Sequence, residues 1–443
     1  MQILQSFRNI FKIQELTNRI LFTFAMLVVF RFGSHITLPG VNPAAVGELQ
    51  ANVAKATGSL FDFMQVFSGG ALGNMALFAL GIMPYITSSI IMQLMTKVSP
   101  TLEALAKEGP SGQRKIGQYT RYLAVPICVV QAWFAVSQLR AIQGELSVPL
   151  FTGSGFFASM EMVIGLTAGA LFVMWLGEQI TEHGLGNGAS ILIMAGIIAR
   201  MPHTALTLIG KASGDTQTVR TDSLILMAAL YIAAVAGTVF ITQAQRRIPV
   251  QHAKHFKGRR VMMGQRNYLP LKVNTAGVMP VIFASSLMVV PSILALIPGL
   301  GFMGGILSRG YFFYSVFFIT MIFFFSYFWT YLFFPPHELA NNLKEFGSFV
   351  PGIRPGENTA SYLNGILARV TLAGATFLCV IALLPDLVAA WVGLDRALAA
   401  FLGGTGILIV VGVCLDIAQK IESHLLMHHY EGFVGAGRIR GRR

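Results

Sequence analysis

Residues 311–334 read YFFYSVFFITMIFFFSYFWTYLFF, 24 residues without one charged side chain. As a helix this stretch would be about 36 Å long at 1.5 Å per residue, enough to cross about 30 Å of hydrocarbon. The same ruler, applied outward in both directions, finds further spans at 20–38, 76–96, 122–140, 158–177, 189–208, 223–243, 274–298, 366–386 and 402–422. The expected fold class is therefore an all-α membrane protein with ten transmembrane helices. Residues 60–75, LFDFMQVFSGGALGNM, are apolar but too short and too rich in glycine to span. A half-inserted element suits them, because irregular backbone is tolerated at depth only inside protein or beside a cavity.

Composition supports the same class. The chain has 443 residues, 54% hydrophobic and only 12% charged, where a soluble domain carries about 25% charged residues. So little charge cannot coat a globule of this size. Cys128, Cys379 and Cys414 all lie in apolar runs, and they read as small core residues rather than ligands or disulfides. Residues 1–19 interleave Arg8, Lys12, Glu15 and Arg19 with Phe7, Ile10, Phe11, Ile13 and Leu16. That pattern fits an amphipathic helix on a membrane face, and no cleaved signal peptide is expected.

Charge then orients the chain. With the N-terminus inside, 24 Lys and Arg fall on inner segments and 7 on outer ones, the asymmetry of an N-in, C-in protein. Ten spans split five and five around loop 244–273. An odd number per half makes the second half start from the opposite face, which is the arithmetic of an inverted repeat. The expected organisation is an N-terminal segment 1–19, a first half 20–208, a second half 209–422 and a basic tail 423–443.

Enzyme signatures are missing. The chain has no GxxxxGK[ST] and no GxSxG. His337-Glu338 opens like a zinc-protease motif, but Asn341 stands where the second His is needed. His424 and His428, at i and i+4, read as an interfacial pair; His252 and His255 lie in a basic loop. No cofactor or metal is expected. Intramembrane charges, which mark ion-coupled transporters, are nearly absent: Arg31 lies in the first span and Glu161 near a span end. This weighs against a transporter of small solutes, and the lack of a nucleophile–base pair weighs against an intramembrane enzyme.

Two inner loops stand out. Residues 244–273 hold eight Lys or Arg and no acid, which suits anionic lipids or a polyanionic partner. Loop 335–369 contains PGIRPGE at 351–357, where Pro and Gly stiffen a turn that pushes Arg354 outward.

Five strings carry a resemblance. GIMPYITSSIIMQL (81–94), EGPSGQRKIGQYTRY (108–122), WLGEQITEHGLGNGASI (175–191), LPLKVNTAGVMPVIFASS (269–286) and FVPGIRPGENTA (349–360) resemble the SecY family, the channel subunits of the bacterial protein-conducting translocon. The resemblance implies two pseudo-symmetric five-helix halves forming a clamshell around a central pore. Such a channel opens across the membrane and sideways into lipid. By motif, residues 60–75 match the plug, including Phe67, Ser68, Gly69 and Gly70. Ile82, Ile86, Ile193, Ile282 and Ile409 match the pore ring, with Ala189 where relatives place another bulky aliphatic. Gln93, Thr120, Ser285 and Ser286 match polar positions of the lateral gate. Arg246, Arg247, Arg259, Arg260 and Arg354 match the surface that docks the ribosome, through its RNA, and the SecA motor ATPase, with the docking loops at 244–273 and 335–365. The family also implies small membrane subunits like SecE and SecG, cargo proteins with signal sequences, anionic lipids and a bacterial inner membrane.

The chemistry suits that role. Aliphatic side chains offer passing cargo neither charge nor hydrogen bonds, and an empty aliphatic constriction dewets and resists ions. Lacking a nucleotide site, the chain must be driven by a partner.

Overall fold

The computed structural model describes residues 13–47, 68–143, 151, 153, 155–213, 221–252, 255–257, 260–262, 266–288, 312–392 and 404–436. They form helices α1 (Gln14–Gly33), α2 (Met83–Val98), α3 (Pro100–Lys107), α4 (Pro110–Gln143), α5 (Phe156–His183), α6 (Gly188–Ser213), α7 (Thr221–Gln243), α8 (Met279–Leu287), α9 (Phe312–Phe333), α10 (Pro336–Glu345), α11 (Glu357–Val392) and α12 (Gly404–Ala436). Five strands join them: β1 (Gln245–His252), β2 (His255–Lys257), β3 (Arg260–Met262), β4 (Arg266–Lys272) and β5 (Ser348–Phe349).

Seven helices among the described residues, α1, α4, α5, α6, α7, α9 and α11, are long and apolar enough to cross a membrane. Of the other three expected spans, α2 has 16 helical residues, α8 has nine, followed by a turn at Met288, and α12 carries Asp416, Lys420 and Glu422 near its middle. Helix exteriors are apolar. Leu21, Phe24, Val28 and Phe32 lie exposed along α1, as do Ile225, Ile232 and Phe240 on α7 and Phe312, Phe313 and Phe324 on α9. Ridges of this kind are stable against lipid and not against water, so the chain is a multi-pass membrane protein.

Several boundaries differ from the sequence expectation for local reasons. α1 ends at Gly33, not at 38: the Ser34 N–H still reaches the Phe30 carbonyl, where the Ser34 hydroxyl also donates, but the His35 N–H turns to Phe32 O, three residues back, and the α-helical ladder stops. Arg31 therefore lies in the last turn of α1, at the very end of the first span, and is exposed. Residues 1–12 of the expected amphipathic helix lie outside the described residues, and 14–19 begin α1 itself. The second span starts at Met83 rather than 76. Ahead of it, Leu77 N–H donates to Ile36 O at 2.8 Å and Leu38 N–H to Met75 O at 2.9 Å, so 76–82 is tied sideways instead of up a helix. The basic loop 244–273 is mostly β structure, and α11 starts at Glu357, well before the expected 366. Cys128 and Cys379 are buried as expected, but Cys414 is exposed; it sits on a face of α12 with its Sγ 3.7 Å from Met194 Sδ.

The chain divides into two compact units, Met1–Leu206 with Val413–Arg443, and Thr207–Gly412. In the first, α4 and α5 pack on residues 38–45 and 72–80 around Leu38, Leu72, Met75, Leu80, Leu139, Met162 and Leu166. The last helix closes the opposite end of this unit, where Ile417, Ile421 and Leu425 pack with Leu16 and Leu185. In the second unit Phe283 of α8 meets Phe325 and Trp329 of α9, each at 5.2 Å between ring centres. Beside them lies a three-stranded sheet of order β4-β1-β5.

Candidate functional site

The first unit holds Ile82, Ile86 and Ile193, all buried. Ile82 is the residue at which the turns stop and α2 starts; its carbonyl accepts the Ile86 N–H at 3.1 Å, so the two side chains stack one turn apart. Opposite them, Gly177 of α5 leaves room. A Cβ there would lie 3.0 Å from Ile82 Cδ1 and 3.4 Å from Leu192 Cδ1. Ile193 follows Ala189 by one turn on α6. In the second unit Ile282 and Ile409 are buried too. Gly412 of α12 faces Val278, one turn from Ile409 and one turn from Ile282 respectively, and the Ile282 N–H donates to Val278 O at 3.2 Å.

Residues 68–82 form successive turns. Phe67 and the rest of 60–67 lie outside the described residues. Ser68 is buried and its Oγ accepts the Leu72 N–H at 3.4 Å. Gly69 and Gly70 follow with φ of +64° and +86°, backbone that favours glycine. Ala76 forms an antiparallel bridge with Thr37. Much of the backbone of these turns is thus paired inside the protein, as a segment at depth in a membrane would need.

Of the residues that match gate positions by motif, Gln93 lies on α2 and Thr120 on α4, two helices that pack together. The Ser88 hydroxyl donates to the Thr120 carbonyl at 2.5 Å, and Thr120 Oγ1 returns to Ile116 O at 3.0 Å. Gln93 Nε2 donates to Ser89 Oγ at 3.2 Å, which keeps it along its own helix. Ser285 of α8 donates to Val281 O at 2.6 Å, and the side chain of Ser286 lies outside the described residues.

Three of the arginines that match the docking surface by motif share a base. Arg246 and Arg247 are exposed on β1, paired with Leu271 and Pro270 of β4. β5, just before the PGIRPGE turn, pairs with the far end of β1 through Gln251 with Phe349 and His252 with Ser348. Beneath, Ile248, Leu271, Val350, Leu363 and Leu367 form one apolar cluster with Ile353 and Leu343 against it. The turn is closed by Ile353 N–H to Val350 O at 3.1 Å and Thr359 Oγ1 to Arg354 O at 2.9 Å, which leaves Arg354 exposed. Arg260 pairs with Lys257 across β2 and β3; Arg259 lies outside the described residues. Two loops that are separate in sequence thus present Arg246, Arg247 and Arg354 from one small subdomain.

Sequence reasoning missed the ion pair of Arg121 with Glu178, at 2.6 Å between α4 and α5. Both residues stand in the motifs quoted above, but nothing in either string names the other as its partner. Among the described residues no group of three or more His, Cys, Asp or Glu is placed to hold a metal ion.

A family model for SecY matches residues 76–418. The protein translocase subunit SecY of Thermotoga maritima is 41% identical over 442 residues, covering 99% of this chain and 100% of that one. The protein translocase subunit SecY of Pseudomonas aeruginosa is 44% identical over 440 residues, covering 97% of this chain and 95% of that one. Among solved structures, a protein-conducting channel is similar with a TM-score of 0.59 at 18% identity over 92% of each chain. The idle yeast Ssh1 complex bound to the yeast 80S ribosome gives 0.59 at 15% identity, over 91% of this chain and 89% of that one. At such identities these two likenesses concern the fold.

Proposed function

The chain belongs to the SecY family, and on that premise we propose how its parts work. It is a protein translocase channel subunit, a transport protein and not an enzyme. Ten spans, N-in and C-in, form two five-helix halves, 20–208 and 209–422, between the segment 1–19 and the tail 423–443. The protein lies in the bacterial inner membrane with SecE-like and SecG-like subunits and anionic lipids around it. Unfolded secretory chains with signal sequences pass through a ring of Ile82, Ile86, Ile193, Ile282 and Ile409, closed from outside by the plug at 60–75. Apolar segments leave sideways past Gln93, Thr120, Ser285 and Ser286. Each Leu or Ile of such a segment gains about 0.5 kcal/mol on entering lipid, so an open gate sorts cargo by partitioning alone.

Energy comes from outside. The SecA motor or a ribosome docks on Arg246, Arg247, Arg259, Arg260 and Arg354. The observation that supports this reading best is the shared base of β1 and the 351–356 turn on the cluster around Ile248 and Leu363, because a motor that pushes needs a stiff footing. The test is reconstitution with the small subunits in vesicles, with SecA, ATP and a signal-bearing precursor. A photoreactive side chain placed at Ile409 should crosslink to an arrested precursor. Protection of the precursor without that crosslink would move the path elsewhere, and no protection would overturn the reading.

A further inference from the structure

Four residues of α6, Ala189, Ile193, Gly196 and Arg200, follow one another at i, i+4, i+7 and i+11 and so share one face of the helix. The first two belong to the constriction motif. The last two touch the segment 68–75. Gly69 meets Gly196 backbone to backbone: a Cβ on Gly69 would lie 2.7 Å from Gly196 Cα and 3.1 Å from its carbonyl oxygen. Gly70 lies under the Arg200 side chain, where a Cβ would meet Nε at 3.1 Å and Cδ at 3.3 Å. One turn of α6 therefore grips two consecutive left-handed glycines, by bare backbone at one and by an arginine side chain laid across the other.

The far end of the segment is held differently. Ala76 bridges to Thr37, and Met75 O accepts from Leu38 N–H. Met75, within that anchor, is buried with φ +48°, alone among the described non-glycine residues in having a positive φ. Backbone held in that region persists only while its surroundings enforce it.

We propose that Arg200 is the positioning residue that latches the plug, so that one face of α6 couples the width of the constriction to closure of the outer path. This rests on the reading of 60–75 as the plug. A movement of α6 that draws Ile193 back also withdraws Gly196 and Arg200 from Gly69 and Gly70. The Gly69–Gly70 turn is then free to leave α6, while Leu72 and Met75 stay in the core against α4 and α5 and Ala76 keeps its bridge to Thr37.

The test is resting ion conductance of the full-length channel with its partner subunits in planar bilayers, without cargo. Arg200→Gln removes the guanidinium laid across Gly70 and should raise the resting conductance about fivefold, the population change that removing one modest interaction makes. Gly70→Ala attacks the same junction from the other side and should act in the same direction, which keeps the test open if one variant fails to assemble. Deleting 60–75 should raise conductance further, and adding Arg200→Gln to that deletion should change nothing more. Wild-type conductance in both point variants beside a leaky deletion would overturn the latch and leave the plug reading standing. A tight deletion channel would overturn both. An effect of Arg200→Gln that persists in the deletion would place the action of Arg200 elsewhere and overturn the latch.

Discussion

Arg121 Nε lies 2.6 Å from Glu178 Oε1, joining α4 to α5 across 57 positions of sequence. The residue before Arg121 is Thr120, whose carbonyl takes the Ser88 hydroxyl of α2. The residue before Glu178 is Gly177, on which Ile82 rests. One ion pair thus lies at the junction of three helices, beside Thr120 and Ile82, two of the residues proposed for the gate and the ring. The Arg121 side chain is half exposed, so solvent screens the pair and about 1 kcal/mol is the right scale. Glu178→Gln should lower the thermal midpoint of the purified protein slightly, and the charge swap of Arg121→Glu with Glu178→Arg should recover most of the loss. Equal midpoints in all three proteins would show that the pair contributes nothing.

The Ser88 hydroxyl is wholly buried and bridges two helices. An interhelical bond of this kind in a membrane contributes about 0.6 kcal/mol. That is small for stability but concentrated at one seam. Ser88→Ala should leave assembly intact while loosening α2 on α4, the two helices that carry Gln93 and Thr120 on one side of the proposed gate, so that precursors with weakened signal sequences are exported faster. The check is export of a defective-signal substrate against a normal one; an unchanged ratio would make the bond purely structural.

Arg354 and Arg247 stand on one apolar cluster, and this separates two ways of losing docking. Arg354→Glu should impair motor-driven translocation with folding preserved. Leu363→Ala touches no charge, yet removes a fully buried side chain from the base and should cost about 2–5 kcal/mol locally. It should weaken the motor's binding as well, by loosening the footing. Reversal of Arg246 and Arg247 should instead flatten the salt dependence of ribosome binding, by about 0.7 to 0.9 in the log–log slope for each phosphate no longer neutralised. Titrations at two salt concentrations read both effects; a steep slope kept in the double reversal would remove these arginines from any RNA interface.

The long uniform spans are legible because nothing else explains 24 uncharged residues such as 311–334. The start of α2 is not. Ala76, Ala79 and Leu80 are as apolar as any helix, and only the sideways bond of Leu77 N–H to Ile36 O shows that they are turns. β1 is hidden by its own charges. Ile248 and Val250 are buried and alternate with exposed Arg247 and Pro249, a period of two that eight bases in one loop obscure. Arg200 reads in sequence as one more charge on an outer segment, since nothing there signals that Gly70 lies beneath it. The candidate ring residues are identified by resemblance alone, because five buried isoleucines carry no polar mark that separates a pore lining from a core.

That last ambiguity has a test built on Gly177. The glycine leaves a space that Ile82 Cδ1 occupies from one side and Leu192 Cδ1 from the other. If Ile82 lines the constriction, filling that space must push it inward, whereas a polar residue at Ile82 must wet the path. The two changes therefore act in opposite directions on a pore and in the same direction on a core. Ile82→Asn, like Asn at Ile86, Ile193, Ile282 or Ile409, should hold water and lower the dewetting barrier. Resting conductance should rise, and rise again when 60–75 is deleted. Gly177→Val drives two new methyl groups against Ile82, a strain of about 1–3 kcal/mol by the overpacking scale. It should narrow the path, slow export of a bulky precursor and leave resting conductance at or below the wild-type value. Conductance and export measured side by side on the same reconstituted channels separate the readings. Loss of assembly in both variants, or conductance unchanged in every isoleucine variant, would make these residues ordinary core and remove the constriction from this layer of the protein.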